Sequence, residues 1–226
     1  DLRTHRTLTV PGQLSTRSGP ARHSKPLYDT GEHVLAGESP AITELLSGYQ
    51  LNVNGVPFTY AELIAAADLF ADPEDMENNK TIFLTAIRAL ILKSRTYYEK
   101  KLNGRSVVFS PDVTSEEWDK ITSGNYLRLA EGNFEHFAYD PAYPQRNNKA
   151  TWEAYHQMAL EKAREGEVEQ ALKINAFGDH FLTDAFSAGH LFSKNKIFDL
   201  VDAALYANPV AYTHYFDRPI VGKKSW

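Results

Sequence analysis

The sequence predicts an all-α fold: a single helical domain over residues 31–226, built around a buried polar site and preceded by an extended arm over 1–30. Three observations carry this. Helix-start and helix-stop signals recur along the chain, strand signal is thin, and one apolar helical stretch carries polar groups that a simple core would reject.

The first 30 residues are rich in Ser, Thr, Pro, Gly, Arg and His and show no period, as expected of an arm that wraps a surface or stays mobile. Ser39 and Pro40 then open a short helix, with Ser as the cap and Pro at the first helical position. Thr59 and Glu62 form a capping-box pattern ahead of the apolar run 63–70. The stretch 73–102 reads as the longest helix. Its first turn is acidic (Glu74, Asp75, Glu77), its last turn basic (Lys100, Lys101), and Asn103-Gly104 stops it. Thr114 and Glu117 repeat the capping box. Residues 105–110 suggest a short strand or an extended connection. Helices are predicted over 149–164, 167–189 and 198–206.

Composition bounds the function. A chain of 226 residues with 42% hydrophobic content supports one core. A net charge of −5 gives no support to a nucleic-acid-coating role. No apolar run approaches the length of a membrane-crossing helix. Cysteine is absent, which excludes disulfides and thiolate metal sites and fits oxidising and reducing compartments alike. No signal-peptide pattern is visible, and a start at Asp1 reads as a processed or trimmed product.

The polar groups lie between Asn175 and His190. His180 and Asp184 are four residues apart, so a helix stacks imidazole and carboxylate on one face, where they can share a metal ion. Taken alone, the pair is equally well a surface i,i+4 pair. Asp68 is a lone carboxylate in an apolar helical run. It requires a cation, a hydrogen-bond network or a solvent-facing position. His136, flanked by Phe134 and Phe137, reads as buried, either as a core histidine or as a ligand. One ion shared by Asp68, His136, His180 and Asp184 would satisfy all four, and two imidazoles with two carboxylates suit zinc.

His190 is ten residues beyond His180, about 80° round and about 15 Å along a regular helix, too far for the same ion. If Gly189 ends the helix and turns the chain back, His190 serves a second metal or supports the first shell. His33 follows Gly31-Glu32 and is open to either reading. His156 is expected to face solvent or pack near Trp152, His214 to pack among aromatics, and His5 and His23 to be solvated. The basic cluster Lys93, Arg95, Lys100, Lys101 and Arg105 can attract an anionic substrate or lipid surface, but more simply complements a helix end.

The spacing His180-x3-Asp184-x5-His190 resembles the signature of the zinc-dependent phospholipase C and S1/P1 nuclease superfamily. The run from Asp179 to His190 resembles a bacterial and fungal branch of it in particular. Thr59-Tyr60 with Asp68, and Asn133 with His136-Phe137, resemble two upstream segments of that branch. The resemblance spans 56–190. It implies an all-helical fold with one to three zinc ions. Asp68, His136, His180 and Asp184 would hold the first, with Asp68 bridging towards a second ion that carries His190. It also implies metal-bound hydroxide attacking a phosphodiester, with Asp68 orienting or deprotonating the water, a small-molecule or phospholipid substrate, and secretion.

The chain departs from that pattern in two places. Asp1 stands where those phospholipases have an amino-terminal Trp, and no His-x3-Glu pair follows His190, since His214 leads only to Asp217 and Arg218. The second and third metals therefore stay open. A second resemblance is to the hemocyanin-like zinc cyclopenases of fungal quinolone alkaloid pathways. It implies a mononuclear zinc lyase or rearrangement enzyme for a small aromatic metabolite, in the cytoplasm. A scaffold protein with a structural metal is the third reading.

Overall fold

Among the described residues the polypeptide folds as a set of helices with one small hairpin. The computed structural model describes residues 30–46, 48–104 and 112–207, without the side chains of 188 and 201–207. The arm up to residue 29, the strand or extended connection expected over 105–110, and His5, His23, His214 and Arg105 lie outside the described residues, while Thr30, the last residue assigned to the arm, already begins a helix.

Helix α1 (Thr30–Gly37) precedes α2 (Pro40–Leu45), which starts at Pro40 as expected. Strands β1 (Leu51–Val53) and β2 (Val56–Phe58) pair antiparallel, Leu51 opposite Phe58. Their turn is Asn54-Gly55, both with positive φ (42° and 84°), the conformation an Asn-Gly hairpin turn requires. Both strands bury alternate side chains, and Leu51, Val53, Val56 and Phe58 join the core.

Helix α3 (Tyr60–Ala66) opens with the expected capping box: Glu62 N donates to Thr59 Oγ1 (3.1 Å) and Thr59 N to Glu62 Oε2 (2.9 Å). The Glu62 carboxylate also receives both arms of Arg88, at 2.8 and 3.1 Å, which satisfies a buried charge. A 3-10 turn (Ala67–Leu69) ends this segment and carries Asp68.

The stretch 73–102 is two helices rather than one. Helix α4 (Pro73–Glu77) stops, and α5 (Thr81–Leu102) starts after an extended Lys80. The Asn78-Asn79 pair explains the break. Asn79 Nδ2 donates to Asp75 O (2.6 Å), and Asn54 Nδ2 donates to Asn79 O (2.7 Å), so side chains replace helical bonding.

Helix α6 (Ser115–Ile121) begins at the second capping box, and α7 (Asn125–Gly132), unforeseen from the sequence, follows the positive-φ Gly124. A 3-10 turn (Phe134–His136) leads to α8 (Asn148–Arg164), capped by Asn147. Helix α9 (Val168–Asp184) lies along α8 and reaches α3 on its other side. A Cβ on Gly178 would fall 2.7 Å from that of Tyr155, so the α8–α9 approach requires glycine there. The helix expected over 167–189 ends at Asp184; a 3-10 turn (Ala188–His190) and α10 (Lys194–Ala207) follow.

The core is filled by Leu63 and Ile64 of α3, Leu84, Ile87 and Ile91 of α5, and Phe177 of α9, each at most 1% exposed. Among the described residues no helix is long and apolar enough to cross a membrane.

Candidate metal centre

Five chain segments deliver six side chains to one buried place beside this core. Helix α1 brings His33, the turn after α3 brings Asp68, and the turn before α8 brings His136. Helix α9 brings His180 and Asp184, and the turn after it His190. His180 and Asp184 are fully buried, and His190 is 2% exposed.

On one side, donor atoms of three residues surround His180 Nε2. His180 Nε2 lies 3.2 Å from Asp68 Oδ1, 3.2 Å from Asp184 Oδ2 and 2.9 Å from His136 Nδ1. His136 Nδ1 lies 2.8 Å from Asp184 Oδ2 and 3.9 Å from Asp68 Oδ1. A tetrahedral ion with bonds of about 2.0–2.1 Å separates its ligand atoms by about 3.4 Å. His180 Nδ1 is held by the carbonyl of Ile64 at 3.0 Å, so the proton on that nitrogen leaves Nε2 aimed at the cluster.

The other carboxylate oxygens face a second group. Asp184 Oδ1 is 3.6 Å from His33 Nε2 and 3.4 Å from His190 Nδ1, and Asp68 Oδ2 is 3.9 Å from His33 Nε2. Both oxygens are buried and accept no hydrogen bond among the described residues. The tautomer of His33 sharpens the point. Thr183 Oγ1 donates to His180 O (2.7 Å), so at 2.6 Å it accepts from His33 Nδ1–H. His33 Nε2 then presents a lone pair to two carboxylate oxygens. A cation between them satisfies an arrangement that is otherwise repulsive.

The electrostatics agree with a cation site. Burial works against charge on His180, but Asp184 and Asp68 outweigh it and hold the imidazole well above its ordinary pKa. Burial pushes Asp184 and Asp68 upward, and the charge of His180 more than reverses this, so both stay ionised. His33 is pushed down to about 4, first by burial and then by His180, which leaves it neutral and able to ligate. Burial likewise lowers His190.

Of the residues anticipated from the sequence, His136, His180 and Asp184 form one group able to hold an ion, Asp68 joins His180 in another with His33, and His190 reaches Asp184. The helix end makes this possible. Phe186 N bonds to Thr183 O (3.1 Å), Ser187 N to Asp184 O (2.9 Å) and His190 N to Ser187 O (3.0 Å), folding the chain back. His33, open to either reading in the sequence, joins the centre, and Thr183, which supports it, was not anticipated. The readable signal was Thr30-Gly31-Glu32 as the start of a short helix, with Val34 marking its buried side.

His156 stacks on Trp152 (5.3 Å, 14°) and its Nδ1 meets Asn175 Oδ1 at 2.7 Å, away from the centre. Within the basic cluster, Lys93 pairs with Glu117 and Arg95 with Glu38 and Glu99.

Among the described residues, two clefts reach the centre. One of about 470 Å³ exposes Asp68 and His136, with Phe70, Tyr126, Tyr155 and Phe181 in its walls and the exposed Arg128 and Arg146 beside them. A smaller one, about 200 Å³, reaches His33 and His190. Buried His and Asp groups able to hold a metal ion, accessible through an aromatic cleft, are thus features of the fold. Compared with protein families, curated proteins and solved structures, the chain matches none of them.

Proposed function

We propose that this chain is a zinc-dependent hydrolase of phosphodiesters, of the phospholipase C type. One observation carries the reading: Asp68 and Asp184 each direct one oxygen towards His136 and His180 and the other towards His33, with His190 beside Asp184. Carboxylates with two-sided donor sets are what a pair of ions a few Å apart requires.

His136, His180, Asp68 and Asp184 would hold one ion, and His33, His190 and the remaining oxygens of the two carboxylates the other. Zinc bound there supplies Lewis-acid charge and lowers the pKa of water towards neutrality. The protein's own groups do the rest. Asp68, ionised and at the floor of the larger cleft, accepts a hydrogen bond from the attacking water and orients it. Arg128 and Arg146 place guanidinium charge near the phosphoryl oxygens, Arg146 being steadied by Glu135 at 2.7 Å. The aromatic wall excludes water from the organic part of the substrate.

The aromatic cleft also favours a second reading, a mononuclear zinc lyase or rearrangement enzyme for a small aromatic metabolite. Metal count separates the two. A scaffold with a structural metal fits less well, because structural shells are closed and this one is reached by two clefts.

The test is zinc per chain by elemental analysis, together with hydrolysis of bis(p-nitrophenyl) phosphate. The expected result is two ions and measurable turnover, with His180→Ala losing both together. Stoichiometric zinc retained by His180→Ala, or a fully loaded protein inert towards the diester, overturns the hydrolase reading. A single ion without turnover supports the lyase.

A further inference from the structure

The 470 Å³ cleft shares part of its wall with a second cleft. Tyr155 and Thr151 line it, and they also line a neighbouring cleft of about 760 Å³ that carries Asp72, Met158 and Ile174. These two side chains of α8 form the partition between the cleft that exposes Asp68 and His136 and the outer cleft.

Tyr155 is packed into that partition on two sides. Its Cβ sits against Gly178, where an added Cβ would come within 2.7 Å. Its ring stacks on Phe181 (5.9 Å between centroids, 8° between planes) and tilts onto Phe177 (5.2 Å). Phe181 in turn lies 4.8 Å from the His136 ring. An unbroken row of rings, His136–Phe181–Tyr155, therefore runs from a metal ligand to the partition. Such a wall suits a flat apolar group attached to a phosphoryl centre, and Tyr155 stands where that group must stop.

We propose that Tyr155 is a specificity-determining residue that sets the length of the aryl or similarly flat apolar arm a phosphoryl substrate can place in the cleft. This rests on the hydrolase reading above. It adds the substrate class, phosphoryl esters with a short planar arm, and the residue that limits the arm.

Binding measurements test this without turnover. Methyl-, phenyl-, biphenyl-4-yl- and terphenyl-4-yl-phosphonate are titrated calorimetrically into zinc-loaded wild type, Tyr155→Phe and Tyr155→Leu, with zinc content measured on each preparation. In wild type, affinity is expected to rise from the methyl to an aryl compound and then fall as the arm meets the partition. Tyr155→Phe keeps the ring and keeps that cut-off. Tyr155→Leu opens the way to the outer cleft, and affinity for the longest arm relative to phenyl rises about tenfold, a shift of about 1.4 kcal/mol. The same cut-off in Tyr155→Leu as in wild type, or no cut-off in wild type, overturns the assignment of Tyr155 while leaving the hydrolase reading intact. Failure of zinc-loaded wild type to bind any of the phosphonates overturns both.

Discussion

His33 and Thr183, 150 positions apart, share a 2.6 Å hydrogen bond that fixes which imidazole nitrogen faces the carboxylates. The Thr183 hydroxyl is committed as a donor to the His180 carbonyl, so it can only accept from His33. A single hydroxyl thus orients the histidine of α1 and ties it to the helix that carries His180 and Asp184. Thr183→Val removes both bonds at nearly constant volume. Losing a supporting partner of this kind lowers metal affinity by about 10–100-fold. The loss should fall on the ion held by His33, leaving the one at His136 and His180 in place. Competitive zinc titration of the variant checks this, and equal weakening of both ions would contradict the assignment of His33 to a separate site.

The raised pKa of His180 gives metal binding a definite pH dependence. To ligate through Nε2, His180 must release the proton that Asp184 and Asp68 favour. Zinc affinity should therefore increase with pH, by about tenfold per unit for each proton displaced. The metal-free protein should show the opposite slope from this group. A histidine raised in the folded state contributes its full stability below the ordinary pKa of 6.5, and loses it as pH climbs through the raised value. The lowered carboxylates contribute above their ordinary value of 3.8 and lose that contribution only on acidification. Melting curves from pH 6 to 9, with zinc and with chelator, should diverge as pH rises. Parallel curves would exclude His180 as the displaced proton.

Asp184 lies 2.8–3.6 Å from each of the four imidazoles of the centre, those of His33, His136, His180 and His190. Asp184→Asn should abolish binding of both ions, whereas His190→Ala should spare the first. Zinc at about a thousand times its dissociation constant stabilises a folded protein by about 4 kcal/mol. For a chain of this size that is about 10 °C in melting temperature. The zinc-dependent shift should vanish in Asp184→Asn and shrink in His190→Ala, as read by thermal scans with and without EDTA. A full shift in Asp184→Asn would show that the ion sits elsewhere.

The sequence disclosed the helical class and the stacking of His180 on Asp184, because capping boxes and i,i+4 spacing are local. Thr59 with Glu62 and Thr114 with Glu117 act as caps as written. Two boundaries were hidden, one decided by a side chain and the other by backbone bonds of a turn. Asn79 takes a helical carbonyl and splits 73–102, and the turn after Asp184 is closed by bonds to Thr183, Asp184 and Ser187. The place of His33 was hidden for another reason. A helix of eight residues carries little periodic signal, and its contact with α9 spans 150 positions. The Asn54-Gly55 hairpin carries its signal in the dipeptide alone, since both residues take the positive φ that such a turn requires.

Lys194 ties the His190 segment to the His136 segment. Its ammonium donates to Ala130 O (2.6 Å), Glu131 O (2.8 Å) and Asn133 Oδ1 (2.6 Å), closing the end of α7 just ahead of the turn that carries His136. The rings of Phe134, Phe137 and Phe198 lie 5.1–5.7 Å from it, and burial brings its pKa down to about 8. Ala138 N to His190 O (2.9 Å) runs parallel to this link. Lys194→Met keeps the apolar stem but removes the three hydrogen bonds the ammonium donates, which should cost about 2–3 kcal/mol of stability. Denaturant unfolding measures that loss. Because the two histidine segments are then held by fewer bonds, the ion nearest His190 should also be released more readily in chelator competition than the ion at His180. A variant as stable as wild type would mean that these carbonyls find other donors. Unchanged release of zinc would mean that the turn bonds after Asp184 are enough to hold His190 in place.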